Sequence, residues 1–487
     1  MNFPSVVKLS GEGRVSLGVN STTSVRTRVA IVGGGPGGLM TAYLLYQRAV
    51  EPLDITIFEA SHRLGGKVLS GTFESIPLTY EAGAAELYDY SSIGPDPLHE
   101  LIHDLGLTTL PMDGRTVVMD GHFLKTDEDI GRHFGAQTLA ALEDFRRRAR
   151  QFISPAEYYE SDWKADNRDP LSRQTFYDLL QTVPDDSARR YIEVIVHSDL
   201  ATEPHRTNAM YGLQNFLMNE PGYLRLYTIE GGIERLKREL VARLRKRILL
   251  GHRVTGVDAT AQKTYRVHSC HRGERVSEEF DLVVVALPNN WIPAIEWGGE
   301  GLSAAMHAHH VHYDYPAHYL RVTLLFRQAF WRDRIDDSYF MLDAFGGCCV
   351  YDETSRSGSD TSGAALGWLL AGDAALNLNN LADEDLVEEM LESLPDCWSR
   401  AREMLLEGRV HRWVGSVNGL PAGYPAREPD SRHVPDPEGN PGLFVVGDYL
   451  FDSTLNGVLD SAEVVAELIL ELQGKSQLVS TGQSHAI

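Results

Sequence analysis

Cysteine is scarce in this chain. Four of its 487 residues are cysteines: Cys270, Cys348, Cys349 and Cys397. None of them forms a C-x-x-C pair, and the adjacent residues Cys348 and Cys349 have poor geometry for a structural disulfide. This usage argues against a disulfide framework and is typical of a reducing compartment, so we expect a cytoplasmic protein.

Long hydrophobic runs and positive charge are also lacking. The chain has no apolar run of about 18 residues, so we expect no membrane span. Its 45 Lys and Arg residues are outnumbered by 68 Asp and Glu residues, which gives a net charge of −23. This excess argues against nucleic acid and anionic membrane surfaces as partners, and it permits a cationic small-molecule substrate.

The length indicates more than one domain. A chain of 487 residues exceeds one ordinary hydrophobic core, so we expect two domains of roughly 150–250 residues each. Both ends are polar and mixed, and the first has no apolar segment of the kind found in secretory signals. We expect residues 1–25 and 474–487 to be flexible tails. The composition leaves a homodimer open.

Glycine, in contrast, is abundant near the start of the chain. Residues 29–38 read Val-Ala-Ile-Val-Gly-Gly-Gly-Pro-Gly-Gly, and the helical pattern of residues 39–45 follows. The apolar run predicts a buried strand, and Gly33, Gly35 and Gly38 fill the G-x-G-x-x-G positions that bring a backbone close to a pyrophosphate. Glu59 ends the next apolar strand, where its carboxylate can accept hydrogen bonds from ribose hydroxyls. The pattern therefore predicts a dinucleotide-binding fold.

A second glycine pair favours FAD over NAD as the bound dinucleotide. Arg63-Leu-Gly65-Gly66-Lys67 follows the acid, and Gly83-Ala84-Ala85-Glu86 comes next. With these segments the chain resembles the flavin amine oxidase superfamily, which includes monoamine, polyamine and L-amino-acid oxidases, with protoporphyrinogen oxidase and phytoene desaturase as relatives. The resemblance implies that the first loop wraps the diphosphate of FAD and that the second passes close to the isoalloxazine ring. Lys67 stands where the family usually has Arg, which leaves a point charge without a bidentate fork.

The resemblance extends to the middle and the end of the chain. Residues 228–236 and the strand containing Val254 match the middle flavin segment, and residues 281–288 match the strand that returns under FAD. Residues 443–448 and 454–462 match the last segment, including a helix start that would face the pyrimidine edge of the flavin. The positions that match cofactor contacts of the family are Gly33, Gly35, Pro36, Gly37, Gly38, Glu59, Ala60, Arg63, Gly65, Gly66, Lys67, Gly83, Ala84, Ala85, Glu86, Val254, Gly447, Asp448, Asn456, Gly457 and Val458.

The expected fold class is α/β, with a GR2-like Rossmann-type FAD-binding domain and an interleaved α+β substrate-binding domain. The FAD-binding domain is assigned to residues 26–110, 211–300 and 411–470, and the substrate-binding domain to 111–210 and 301–410. The first substrate segment has helical periodicity, and residues 319–326 and 338–342 read as strands. The two domains should meet over the flavin, where a pocket is expected.

The covalent flavin link of monoamine oxidases is not expected here. In those enzymes a cysteine directly before a tyrosine holds the flavin, whereas Gly423 precedes Tyr424 in this chain. The resemblance therefore implies non-covalent FAD.

Three positions implied by the resemblance face the flavin. Amino-acid oxidases have an arginine three residues after the first glycine of the second loop, and this chain has Glu86, which suits an ammonium or hydroxyl group unless it is a structural partner. Oxidases have a lysine ten residues before the Trp331 position, and this chain has Arg321 unless the register slips. Tyr424 matches one wall of the aromatic cage of monoamine oxidases, but Thr454 stands at the other wall.

Five histidines between residues 307 and 318 also need an explanation. Alternation places His310 and His312 on one strand face, which could hold a metal. No carboxylate or thiol spacing accompanies them, so we predict a polar loop that enters a strand and no metal site.

The resemblance implies an FAD-dependent oxidoreductase that oxidises an amine-bearing small molecule by hydride transfer to flavin N5. Two alternatives within the superfamily stay open: a desaturase or dehydrogenase acting on C–C bonds, and an L-amino-acid oxidase with an unusual carboxylate site. A non-catalytic flavin-binding protein is the alternative from another class.

Overall fold

The computed structural model describes residues 26–480, apart from 92–93, 160–169, 245–246, 357–361, 426, 428 and 452. The expected tail at residues 1–25 and the last part of the other tail, 481–487, lie outside the described residues. Within the described part of the chain, no helix is long and apolar enough to cross a membrane.

The strands, numbered along the chain, are β1 Arg28–Val32, β2 Asp54–Glu59, β3 Ser70–Thr72, β4 Thr79–Glu81, β5 Leu87–Asp89, β6 Thr109–Met112, β7 Val117–Met119, β8 His122–Leu124, β9 Arg225–Ile229, β10 Arg247–Leu250, β11 Arg253–Ala259, β12 Tyr265–His271, β13 Glu274–Phe280, β14 Leu282–Val285, β15 Glu296–Gly298, β16 Pro316–Phe326, β17 Tyr339–Leu342, β18 Cys348–Asp352, β19 Ala364–Ala371, β20 Leu405–Asn418 and β21 Leu443–Val445.

The α-helices are α1 Pro36–Arg48, α2 Pro97–Asp104, α3 Asp127–Phe134, α4 Ala136–Phe152, α5 Pro155–Tyr159, α6 Phe176–Leu180, α7 Asp186–Leu200, α8 Ala209–Met218, α9 Glu234–Arg243, α10 Glu300–His312, α11 Gly372–Leu378, α12 Asp383–Glu392, α13 Ala401–Met404, α14 Pro429–Arg432 and α15 Leu455–Ser480.

A five-stranded parallel sheet forms the centre of the first layer, in the order β10-β2-β1-β14-β21. Successive side chains of β1 point to opposite faces, and both faces are covered. Val29 and Ile31 join a core with α1 and α15, whereas Ala30 and Val32 join a core with the four-stranded sheet β13-β12-β11-β15. This arrangement confirms the Rossmann-type prediction.

The second layer is a seven-stranded mixed sheet in the order β20-β16-β19-β18-β17-β7-β8. One of its faces packs on α4, α7 and α8, and the other packs on α12. Its strands come from three distant parts of the chain, so the substrate half is interleaved with the parallel sheet, as the sequence predicts. The predicted strands 319–326 and 338–342 correspond to β16 and β17.

The structure corrects several boundaries. The expected boundary between residues 410 and 411 falls inside β20, which pairs along β16 in the seven-stranded sheet. Helix α10, assigned to the substrate domain, contributes Leu302 and Met306 to the core beneath the four-stranded sheet. The expected tail from residue 474 is helical as far as Ser480.

The histidine-rich segment is also corrected. Residues His307, His309, His310 and His312 lie in α10, so the prediction of a polar loop and strand alternation is wrong. In a segment this short, the three- to four-residue spacing of a helix is hard to distinguish from the two-residue alternation of a strand. His309 is fully buried and its Nε2 lies 3.0 Å from the hydroxyl of Tyr449. Among the described residues, no group of His, Cys, Asp and Glu side chains has a metal-binding arrangement.

Candidate active site

Two cavities open between the two layers. The larger runs along the carboxyl ends of β1, β2 and β14; we call it the long cavity. The smaller extends from it toward the seven-stranded sheet; we call it the inner cavity. Pro36, Lys67, Trp413, Asp448 and Val458 line both, so the two cavities share a wall.

The glycine-rich turn closes one side of the long cavity. Gly33 has a φ of +113°, and a Cβ atom there would lie 2.3 Å from the carbonyl oxygen of Ala286. A Cβ on Gly38 would lie 2.1 Å from the carbonyl oxygen of Gly33. Gly35 differs, because its Cβ would meet nothing closer than the Cα of Gly66, at 3.9 Å. Two glycines are therefore needed for the fold itself, whereas Gly35 leaves open space in front of the N-terminus of α1.

That helix start carries backbone donors. Gly35 is the N-cap residue of α1 and supplies no side-chain hydrogen bond, so no side chain caps the first turn. Unpaired N–H groups and the positive end of the helix dipole favour a phosphate group at this point.

Glu59 lies at the end of β2, in the wall of the long cavity. Its Oε2 accepts a hydrogen bond from the Gly34 N–H at 2.9 Å, and its Oε1 accepts one from the Ser61 N–H at 2.8 Å. These bonds hold the carboxylate beside the glycine turn. Arg63 donates to the carbonyl oxygen of Gly66 at 2.8 Å, which steadies the second glycine pair.

Lys67 and Asp448 form an ion pair where the two cavities meet. The Lys67 ammonium also donates to the carbonyl oxygen of Ser416 at 2.6 Å. The positive charge of Lys67, which we expected to contact a phosphate group, is therefore balanced by the carboxylate of Asp448.

Nearly all of the expected cofactor residues line the long cavity or the inner cavity. Those on the long cavity are Gly33, Gly35, Pro36, Gly37, Glu59, Ala60, Arg63, Gly66, Lys67, Val254, Gly447, Asp448 and Val458. Those on the inner cavity alone are Gly83, Ala84, Ala85, Glu86 and Asn456. Gly38, Gly65 and Gly457 line neither cavity and belong to the turns and the helix start behind them.

The far end of the inner cavity is lined by Glu86, Tyr88, Tyr319, Tyr351 and Leu369. The Tyr351 hydroxyl donates to Glu86 Oε2 at 2.9 Å. Burial raises the pKa of Glu86 above its usual value, although the bond from Tyr351 lowers it.

A second acid lies near this end of the cavity. Asp199 is in the last turn of α7, and its pKa is held well above the usual range by burial and by the charge of Glu86. Two carboxyl groups that oppose each other's ionisation favour binding of a cation.

Arg321 is behind this wall and lines neither cavity. It is fully buried and forms an ion pair with the equally buried Glu353. Glu353 also pairs with Arg356 at 3.2 Å. Both guanidinium groups lie over the ring of Tyr351, with Cζ atoms 4.8 Å and 5.0 Å from its centroid, so Arg321 touches the site through Tyr351.

Tyr424 is not brought to the inner cavity. It lines a separate, smaller cavity with Tyr313, Tyr315 and Tyr449, and its ring centroid is 5.2 Å from that of His312. Thr454, at the other expected wall, does line the inner cavity.

Sequence reasoning missed Tyr351, Tyr319 and Asp199. Tyr319 could have been found, because it precedes Arg321 by two residues in one strand and therefore shares its face. Tyr351 and Asp199 lie in segments without a motif.

Comparison with known proteins identifies the family of the chain. The sequence profile of the family described as flavin containing amine oxidoreductase matches residues 36–470. The chain belongs to that family. Membership implies a flavin cofactor, and the long cavity fits one: it has a helix N-terminus without a side-chain cap and open space at Gly35.

Individual members of the amine oxidoreductase family are distant in sequence. Amine oxidase [flavin-containing] A of Canis lupus familiaris is 25% identical over 244 residues, which cover 47% of this chain and 44% of the dog protein. The chain thus aligns with less than half the length of this curated relative.

Solved structures of the family match over the whole fold. Putrescine oxidase bound to putrescine matches with a TM-score of 0.71 and 17% identity, covering 92% of this chain and 99% of that one. Cyclohexylamine oxidase from Brevibacterium oxydans matches with a TM-score of 0.69 and 17% identity, covering 92% and 100%. At this identity the likeness shows the fold alone.

Proposed function

We propose that this protein oxidises small amines that lack a free α-carboxylate, with FAD as a non-covalently bound cofactor. The observation that carries the proposal is the carboxylate of Glu86 on the wall of the inner cavity, at the position where amino-acid oxidases of the family have an arginine. A carboxylate repels a substrate carboxylate and attracts an ammonium group. The aromatic rings beside it add favourable contacts to a cation.

Three side chains of the inner cavity have distinct roles in this proposal. Glu86 binds the substrate ammonium group and accepts a proton from it, since burial raises the pKa of this carboxyl above its usual value and makes it a stronger base. Tyr88 and Tyr319 form apolar walls that exclude water from the substrate. The flavin, when bound, supplies the hydride acceptor. The resulting imine is hydrolysed by water.

Non-covalent binding is supported by the cysteines and by Gly423. None of the four cysteines lines the long or the inner cavity. Gly423 has a φ of +71° and donates its N–H to the carbonyl oxygen of Ser172 at 2.8 Å, in the helical part of the substrate half. Acid or heat denaturation should release yellow FAD into the supernatant, and flavin absorbance that stays with the precipitate would contradict this. The unpaired cysteines also support the proposed cytoplasmic location.

The substrate class can be tested anaerobically in a stopped-flow instrument. Benzylamine, cyclohexylamine and putrescine should bleach the flavin absorbance, whereas L-leucine and L-phenylalanine should do so poorly. Glu86→Gln should retain FAD and lose most of the bleaching by amines. Rapid bleaching by an L-amino acid would overturn the proposal, and bleaching by no compound would favour a non-catalytic flavin protein.

A second candidate is a dehydrogenase or desaturase acting on C–C bonds, with an acceptor other than oxygen. Arg321 favours it, because the oxidases of the family have a lysine at this position and here the cation is buried against Glu353. The two candidates differ in their products. Fast peroxide formation when oxygen is admitted to the amine-reduced protein would exclude the second candidate. Reduction by a porphyrinogen-like compound alone would exclude the first.

A further inference from the structure

Tyr351 connects the buried ion pairs to the wall of the inner cavity. It lies in β18, between β17 and β19, where it is paired with Tyr339 on one side and Gly367 on the other. Its side chain is 1% exposed, and its hydroxyl donates to Glu86 Oε2 at 2.9 Å. Strand pairing on both edges therefore holds the donor in place.

The surroundings of Tyr351 keep its hydroxyl a donor. Burial and the charges of Cys349 and Glu86 raise the pKa of Tyr351 well above its usual range, so the proton stays on the phenol oxygen. The guanidinium groups of Arg321 and Arg356 lie over the ring. Arg356 also donates to the carbonyl oxygen of Ala85, the residue before Glu86, so both ends of the contact are held by one network.

We propose that Tyr351 is a positioning residue: its hydroxyl holds the Glu86 carboxylate ionised and directed into the inner cavity, where that carboxylate binds the ammonium group of the substrate. This role rests on the amine oxidation proposed above.

Several charged or titratable groups surround Glu86. They are Tyr88 of β5, Asp199 of α7, Tyr319 and Arg321 of β16, Tyr339 of β17, Cys349 and Tyr351 of β18, and Arg356 of the turn that follows. Asp199 opposes ionisation of Glu86, and the two arginines favour it. The hydroxyl of Tyr351 donates directly to the carboxylate, so its loss should raise the proton affinity of Glu86.

The test is Tyr351→Phe in the FAD-loaded protein, which removes the hydroxyl and keeps the ring between its neighbours. The measurement is kcat/KM against pH, with the amine that bleaches the flavin fastest among benzylamine, cyclohexylamine and putrescine. The acid limb reports ionisation of the free enzyme. We expect the midpoint of the acid limb to move to higher pH by about one unit. The free energy of a hydrogen bond to a charged group corresponds to about one pKa unit.

Tyr339→Phe is the matched control. Tyr339 is the cross-strand neighbour of Tyr351, with a ring centroid 6.1 Å away, and the described structure gives it no hydrogen bond to Glu86. It should leave the acid limb unmoved. In both variants the flavin spectrum should match the wild type.

Two outcomes would overturn the positioning role. One is a lower kcat/KM at every pH with an unmoved acid limb, which indicates a merely structural residue. The other is a profile identical to the wild type.

If no amine reduces the wild type, the proposed function itself fails, and a spectroscopic measurement still decides the role of Tyr351. The protonated-carboxyl band that disappears in Glu86→Gln can be titrated by infrared difference spectroscopy. Its midpoint should be higher in Tyr351→Phe than in the wild type, and an equal midpoint would overturn the role.

Discussion

Arg321 and Glu353 form an ion pair from which water is wholly excluded, since both side chains are 0% exposed. The backbone N–H of Glu81 also donates to Glu353 Oε2 at 3.1 Å, and Arg356 pairs with the same oxygen. Such a pair contributes little net stability when complete, but loss of one member leaves a buried charge without compensation.

Glu353→Gln should therefore lower the free energy of unfolding by about 3–5 kcal/mol. The guanidinium groups of Arg321 and Arg356 would then both lose the carboxylate with which they form an ion pair. Chemical denaturation of the holoprotein measures the change. Glu74→Gln is the control, because Glu74 pairs with Arg409 at 2.9 Å while 85% exposed. That pair should be worth less than about 1 kcal/mol. Similar losses in the two variants would contradict the prediction.

Gly35→Val should abolish FAD binding while the protein still folds. Gly35 has a φ of −75°, which any residue adopts, and its Cβ would point into open space. A side chain there would block the approach of the pyrophosphate to the backbone. Gly38→Ala should instead impair folding, because its Cβ would lie 2.1 Å from the carbonyl oxygen of Gly33. The ratio of flavin to protein absorbance, read beside a thermal melt, separates the two effects. Full flavin occupancy in Gly35→Val would mean that the dinucleotide binds elsewhere.

Glu59→Ala should weaken FAD binding by about 1–3 kcal/mol, the loss expected for a hydrogen bond to a charged group. This corresponds to a rise in Kd of about 5- to 150-fold, measurable by titrating the apoprotein with FAD. The exposed Glu51, just before β2, provides the control, and Glu51→Ala should leave the Kd unchanged. Equal affinities in wild type and Glu59→Ala would remove Glu59 from the site.

Glu81 should make the protein less stable as the pH rises. Burial raises its pKa to about 7, with Glu353 adding to the rise and Arg356 opposing it. The folded protein therefore holds this proton more tightly than the unfolded chain, so the stabilisation is complete below about pH 4.5 and is lost as the pH approaches 7. Glu81→Gln should remove this dependence, and the difference in unfolding free energy between the two proteins should change by about 3 kcal/mol over that interval. Denaturation curves at pH 5, 6, 7 and 8 measure it, and parallel pH dependences would contradict the prediction.

The sequence by itself determined the half of the molecule that is built for the cofactor. The glycine turn, Glu59 and the start of α15 are local patterns, because a strand, a tight turn and a helix start each constrain only a few neighbouring residues. The order of these segments was enough to predict the parallel sheet and the family. It also predicted 13 of the 31 residues that line the long cavity.

Only the tertiary structure decided what surrounds Glu86. Tyr351 is 265 residues away from it in the chain, and their contact depends on the order of strands in a mixed sheet rather than on any local pattern. The same pairing buries Arg321 against Glu353, and packing of α10 draws Tyr424 into a separate aromatic cluster. A strand position fixes which face a side chain takes, but its partners come from strands distant in sequence. The chemistry of the substrate end is therefore a property of the assembled sheet.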